Sequence, residues 1–270
     1  MDATQPQAST KLAVFDIDGT FYRDSLNIDI IEQLAKDGLI PKSRMRELRR
    51  ARRAWKEREG TYTDYIRLLV RSMENGLLTG IPEKEYCRVS RQVVHAFGKR
   101  VYLFTRELHS ALCEQGYTTV ALSGSPDQSV SAFARKWGFS GFVATRFKLD
   151  AHGRLISAKG YIDVPAERKG EEFMRLCEEH GVHPYETIAV GDTAGDVPML
   201  KKAEFPIAFN SDQELEKIAW EQSWPIVEER KNKVILLRRE SRCKIETIMP
   251  RPVAIAVRER LAAQGITLRP

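Results

Sequence analysis

The chain has 270 residues, of which 42% are hydrophobic and 30% charged, the balance of a folded globular protein rather than a disordered one. No apolar run approaches the roughly 20 residues needed to cross a bilayer, so no membrane partner is expected. The net charge of +6 and the pI near 9.1 favour anionic substrates or partners and say nothing about fold.

The first eleven residues are polar and lack the basic-then-apolar order of a signal peptide, so they read as a short loose tail. Cys87, Cys113, Cys177 and Cys243 are widely separated and form no CxxC pair. Reduced thiols in a cytoplasmic protein account for them more simply than a disulfide or metal framework.

Leu12 to Phe15 is an unbroken apolar run, the mark of a strand buried on both faces in a parallel sheet. Asp16-Ile17-Asp18-Gly19-Thr20 follows directly. Side chains two apart on a strand share a direction, so extended geometry sends Asp16 and Asp18 together beyond the carboxyl edge, where α/β sheets bind ligands. Two adjacent carboxylates call for a cation or a shared proton. Taken alone, the stretch also fits a strand followed by an ordinary Asp-Gly turn.

A long helical region comes next. Ser25 caps a helix through Ile28, Ile31, Leu34 and Ala35 that closes at Gly38. Pro41 and Ser43 open a basic helix with Met45, Leu48 and Trp55 on its buried side. It carries Arg44, Arg46, Arg49, Arg50, Arg52, Arg53 and Lys56, with Arg58 just beyond. Helices starting at Thr61 and Pro82 present Tyr65, Ile66, Leu69 and Val70, and Tyr86, Val89, Val93 and Val94. A last helix over Val101 to Gln115 leads back to the core. With no strand among them, these helices predict an all-helical insertion over residues 23–116, flanked by core segments 1–22 and 117–240.

Strand–helix alternation then begins, predicting a parallel sheet with helices on both faces. Tyr117 to Leu122 is a strand leading into Ser123-Gly124. Phe142 to Thr145 is a second, followed by a hairpin between Phe147 and Tyr161. Lys169 opens a helix, Thr187 to Val190 leads into Gly191-Asp192-Thr193-Ala194-Gly195-Asp196, and strands near Pro206–Phe209, Ile226 and Val234 complete the core. Residues 241–270 form a basic extension with one helix, Val253 to Gln264, to which the sequence assigns no role.

Four polar clusters thus fall at strand ends or a helix start: Asp16/Asp18, Ser123-Gly124, Lys169 and Asp192/Asp196. Singly, each has an ordinary reading. Ser123 serves as a turn residue or helix cap, Lys169 as a solvated lysine with Lys159 as a rival, and Asp196 as a cap. Together and in this order they closely resemble the motifs of the haloacid dehalogenase superfamily. Lys169-Gly170-Glu171, the run Val190 to Leu200 and Ile207-Ala208-Phe209-Asn210 look like its phosphoserine phosphatase branch.

The resemblance implies a Rossmann-like α/β core with a helical cap that closes over the site and selects substrate. It implies an Mg²⁺-dependent phosphomonoester hydrolase acting on a small phosphorylated metabolite through an aspartyl-phosphate. Asp16 is then the nucleophile and Asp18 the general acid and base. Asp16, the Asp18 backbone carbonyl and Asp192 are the expected Mg²⁺ ligands, with Asp196 supporting them. Ser123, Gly124 and Lys169 hold the phosphate.

The chain departs from that branch at two positions. Ser25 stands where the resembling enzymes have a glutamate that binds the substrate amine, and Gly195 where they have asparagine. The reaction therefore carries over and phosphoserine does not. Transfer of the phosphoryl group to an acceptor other than water is the alternative. A dehalogenase fits less well, because Asp18 has a purpose only where a leaving oxygen needs a proton. A non-enzymatic role in binding nucleic acid or another anion would use the basic segments, but no nucleic-acid module is recognisable. The arginines of 44–58 read mostly as a solvated face, with room for one or two in a substrate pocket.

Overall fold

The computed structural model describes residues 11–160, 162–163, 165–237 and 244–269. Most of the expected N-terminal tail, Tyr161 at the hairpin's end and Cys243 lie outside the described residues.

β1 (Leu12–Phe15) is buried along its whole length, as its apolar run requires, and forms the centre of the sheet. It pairs in parallel with β2 (Thr118–Pro126) on one side and with β6 (Thr187–Gly191) on the other. β3 (Gly141–Leu149) extends the sheet beyond β2. β7 (Phe205–Phe209) and β8 (Ile226–Arg230) extend it beyond β6, all in parallel. The chain builds outward from β1 in one direction, then returns to build in the other. This reversal beside β1 is the topological switch point where open α/β sheets bind their ligands. Helices α6 (Asp127–Trp137), α7 (Lys169–His180), α8 (Val197–Leu200) and α9 (Gln213–Glu221) connect these strands.

The insertion consists of α1 (Leu26–Lys36), α2 (Lys42–Lys56), α3 (Tyr62–Glu74) and α4 (Glu83–Phe97). Their apolar stripes close on one another in a core of their own, which includes Ile30, Leu34, Leu69, Leu78, Tyr86 and Val89. Entry and exit run side by side: Arg23 N donates to Arg100 O at 2.8 Å, and Tyr102 N to Phe21 O at 3.1 Å. A hairpin from the sheet clasps the insertion. Its strands β4 (Leu155–Ile156) and β5 (Ile162–Asp163) both pair antiparallel with β3. Gly80 N donates to Leu155 O at 2.9 Å, and Leu155 N to Ile81 O at 2.9 Å.

α5 (Leu103–Glu114) packs differently from the four helices before it. Phe104, Leu108, Ala111 and Leu112 are buried in the sheet's apolar cluster, not in that of the insertion. We therefore propose that the cap ends near residue 100 rather than 116. The sequence gives α5 an amphipathic pattern like its neighbours but not the partner it covers. That partner is α10 (Arg251–Ala263), whose Val253, Ala254, Val257 and Leu261 are buried in the same cluster. β9 (Lys233–Leu237) pairs antiparallel with β8, and β10 (Thr267–Arg269) pairs in parallel with β9. The described part of the C-terminal extension thus completes the core and lengthens the sheet.

Among the described residues no helix is long and apolar enough to cross a membrane. Cys87, Cys113 and Cys177 are free thiols.

Under β1, Phe15, Phe21 and Phe139 surround His109, with ring centroids 5.9, 5.6 and 4.3 Å from it. His109 shares a hydrogen bond with Thr119 Oγ1 at 3.1 Å. Burial pushes its pKa from 6.5 down to about 4. The unfolded chain takes up this proton below pH 6.5 and the folded one only near 4, so stability falls as pH drops through that window, by roughly 3 kcal/mol. We expect His109→Gln to be less stable than the parent at pH 7 and the gap to narrow toward pH 4, as read from urea midpoints across that range.

Candidate active site

The four clusters converge at the carboxyl edge of the sheet. Asp16 leaves the end of β1, and its amide donates to Val190 O of β6 at 2.9 Å. Lys169 is the first residue of α7, which puts its side chain between two strand ends. Its Nζ donates to Asp16 Oδ1 at 2.6 Å and to Asp196 Oδ1 at 2.6 Å. Asp16 and Lys169 are each 5% exposed, and Asp196 is fully enclosed. Lys159, the rival from sequence, instead belongs to the clasp, where its amide donates to Glu74 O at 3.1 Å.

Asp196 sits in the short 3₁₀ turn after β6. Its Oδ2 accepts from Asp192 N at 3.1 Å, Thr193 N at 3.0 Å and Thr193 Oγ1 at 3.2 Å. Both of its oxygens are therefore occupied, which makes it a brace. Asp192 Oδ1 accepts from Thr20 Oγ1 at 2.8 Å. Two glycines make the close approaches possible. A Cβ on Gly19, whose φ is +91°, would lie 2.1 Å from Asp192 Oδ2, and one on Gly191 would lie 2.4 Å from Asp196 Cβ.

Asp16, Asp192 and Asp196 each offer an oxygen within 4.8 Å of the others. Among the described residues, no hydrogen bond reaches the second oxygen of Asp16 or of Asp192. A pair of free carboxylate oxygens is a hard donor set that suits an oxygen-seeking divalent cation.

Asp18 is treated differently from Asp16, although one residue separates them. Its Oδ1 accepts from Leu26 N at 2.6 Å. Its Oδ2 accepts from Ser125 Oγ at 2.6 Å and Ser123 Oγ at 3.1 Å. The sequence reading had Ser123 but missed Ser125. β2 runs on to Pro126, and the period of two on that strand gives both serines one face, which is the signal that could have found it. Thr20 has no role legible in its motif, and the structure shows it orienting Asp192.

Burial raises the Asp16 carboxyl to about 7, opposed by Lys169 and reinforced by Asp196 and Asp18. Burial also raises Asp18, against the hydrogen bonds from Ser125, Leu26 and Ser123. Asp192 is raised well above the ordinary range by burial, then by Asp16 and Asp196. For Lys169 burial disfavours the charge, but Asp16 and Asp196 outweigh it and hold the ammonium protonated.

The arginines of α2 stay largely outside this arrangement. Arg49 pairs with Glu32 at 2.9 Å and Arg52 approaches Asp24 at 3.7 Å, while Arg46, Arg50, Arg53, Lys56 and Arg58 are exposed.

Residues 13–201 match the family model of haloacid dehalogenase-like hydrolases. The chain belongs to this family, and within it resembles the phosphoserine phosphatases. It is 26% identical to phosphoserine phosphatase of Archaeoglobus fulgidus over 77% of this chain and 55% of that protein. To the Methanocaldococcus jannaschii enzyme of the same name it is 25% identical over 74% and 85%. A crystal structure of phosphoserine phosphatase in apo form has the same fold, with a TM-score of 0.54 at 23% identity over 77% of this chain and 90% of that one.

Lys169→Met tests the brace. Removing one partner of a buried ionic group costs about 3–5 kcal/mol. Asp16 and Asp196 lose their shared cation, and the Asp16 carboxyl, already raised by burial and held down by Lys169, becomes more costly to ionise. A raised carboxyl pKa contributes stability at low pH that is lost as pH rises. Thermal melts without divalent cation should therefore show a deficit for Lys169→Met that is larger at pH 8 than at pH 5.

Proposed function

We propose that the protein is a Mg²⁺-dependent phosphomonoesterase acting on a small phosphorylated metabolite in the cytoplasm, with a covalent phosphoryl intermediate on Asp16. The observation that carries this reading is the buried Asp16 carboxylate, gripped by Lys169 on one oxygen and unbonded on the other.

The unbonded oxygen of Asp16 is the nucleophile toward phosphorus. As the P–O ester bond breaks, the leaving oxygen takes a proton from Asp18, whose raised pKa suits an acid. Asp18 then removes a proton from the water that attacks the phosphoryl group, returning Asp16 as a carboxylate. The Gly124 amide binds a phosphate oxygen, as does the Ser123 hydroxyl once its proton turns from Asp18 Oδ2, and Lys169 balances the charge that gathers beside Asp16. Asp16, the Asp18 carbonyl and Asp192 would hold Mg²⁺, with Asp196 keeping its neighbours in place. The ion supplies charge neutralisation for an anionic nucleophile meeting an anionic substrate.

Phosphate release from a panel of phosphorylated metabolites, with Mg²⁺ and with EDTA, tests the reading. Asp16→Asn should abolish release, and Asp18→Asn should slow it by about 10²- to 10⁴-fold. EDTA should stop the reaction and added Mg²⁺ restore it. Release from Asp16→Asn at the parent rate would remove the nucleophile assignment. A new phosphoester in place of free phosphate would mark a phosphotransferase.

A further inference from the structure

Six cations of α2 share one face. At 3.6 residues per turn, Lys42, Arg46, Arg49, Arg50, Arg53 and Lys56 fall within about 120° of the helix circumference. They run the length of the helix, about 21 Å at 1.5 Å per residue. Lys42, Arg46, Arg50, Arg53 and Lys56 are exposed, and Arg49 is half-buried.

Ion pairing within the chain leaves this face almost untouched. Arg49 reaches Glu32 at 2.9 Å. Among the described residues, no carboxylate lies within ion-pair distance of the other five. Glu47 of the same helix stands about 120° round from the middle of the face, and Glu57, its C-cap, closes the face at one end. The apolar side of α2 is already covered, with Met45 and Leu48 only 1% and 3% exposed in the cap's own core.

These features select a partner. Cations spread over about 21 Å cannot meet on one small anion, so the face fits an extended polyanion. Arginines dominate it, and their planar fork matches phosphate oxygens. A membrane surface fits poorly, because helices that lie on lipid insert an apolar face, and that of α2 is buried. A single strand fits poorly too. Proteins hold single strands by stacking bases on aromatic side chains, and the one aromatic residue of α2, Trp55, lies off this face and stacks on Tyr65.

We propose that this face of α2 binds double-stranded nucleic acid through its phosphates, without reading the base sequence. A DNA duplex carries one negative charge per about 1.7 Å of its axis, so it offers phosphates along the whole stripe. This gives the cap a second function, on a surface that takes no part in the phosphatase chemistry.

The test follows the fluorescence anisotropy of a labelled DNA duplex of about 24 base pairs across a salt series. The parent should bind in the micromolar range at about 50 mM salt, and log K should fall against log salt with a slope near −4, about 0.9 for each phosphate neutralised. The triple variant Arg46→Gln, Arg50→Gln, Arg53→Gln should bind about a hundredfold or more weaker at that salt and make the slope shallower by about 2.7. Glutamine suits a helix nearly as well as arginine, so this variant should fold. Each single substitution should take about 0.9 from the slope, which serves as the readout if the triple variant does not fold. A control, Lys201→Gln, Lys202→Gln, Lys217→Gln, removes the same charge from exposed positions on the core and should leave affinity and slope nearly unchanged. A parent that does not bind the duplex overturns the inference. Equal weakening by the control and the stripe variant also overturns it, since net charge alone would then account for the binding. Tighter binding to polyglutamate or to anionic lipid vesicles than to the duplex does the same.

Discussion

The site depends on one buried ammonium. Lys169 stands between Asp16 and Asp196, 2.6 Å from an oxygen of each, with almost no access to water. Ions so enclosed lose several kcal/mol of hydration each, which only tight geometry and filled hydrogen-bond positions recover. The fold provides both. β1 delivers Asp16, the first turn of α7 delivers Lys169, and the turn after β6 delivers Asp196 already holding three donors on its far oxygen. Because β1 and β6 are adjacent parallel strands in fixed register, with Phe15 opposite Val190, the two carboxylates cannot drift apart without breaking the centre of the sheet.

The same constraint explains how two aspartates one residue apart come to differ. Asp16 faces a cation and two other carboxylates, an ionic setting in which a second oxygen stays free. Asp18 faces two serine hydroxyls and a backbone amide, uncharged donors that favour its ionised form against the burial that disfavours it. Ile17 between them is fully buried and anchors the turn. Division of labour between paired carboxyls needs their environments pushed apart, and here the separation comes from which neighbouring strand each one meets.

Much of this was legible in sequence because it is written in short patterns. β1 is an apolar run followed at once by Asp16 and Asp18, and β6 is another followed by Asp192, so strand and site residue are read in one glance. What was not legible lies in long-range partnership. α5 carries the stripe of a cap helix, and only the distant α10, with Val253, Val257 and Leu261, shows that it belongs to the sheet. Thr20 and Ser125 are ordinary residues until Asp192 and Asp18 are placed beside them. Asn27 hides within the apolar stripe formed by Leu26, Ile28 and Ile31, where a polar residue usually signals a helix face turning outward. Its burial, with its amide donating to Met73 Sδ, exists only once α3 lies across it.

The cap is tied to the core by unequal means. The paired linkers at Arg23 and Tyr102 and the packing of Phe97 against both apolar clusters form one attachment. The clasp, in which Leu155 and Phe147 of the sheet enter the cap's own core, forms the other. The cavity between them has one wall from each body, Asn27 and Met73 on the cap and Gly124 and Thr145 on the core. Any motion of the cap against the core therefore reshapes this cavity. Backbone pairing at the linkers and apolar burial at the clasp, two attachments of different kind, together fix where α1 and α3 stand beside Gly124.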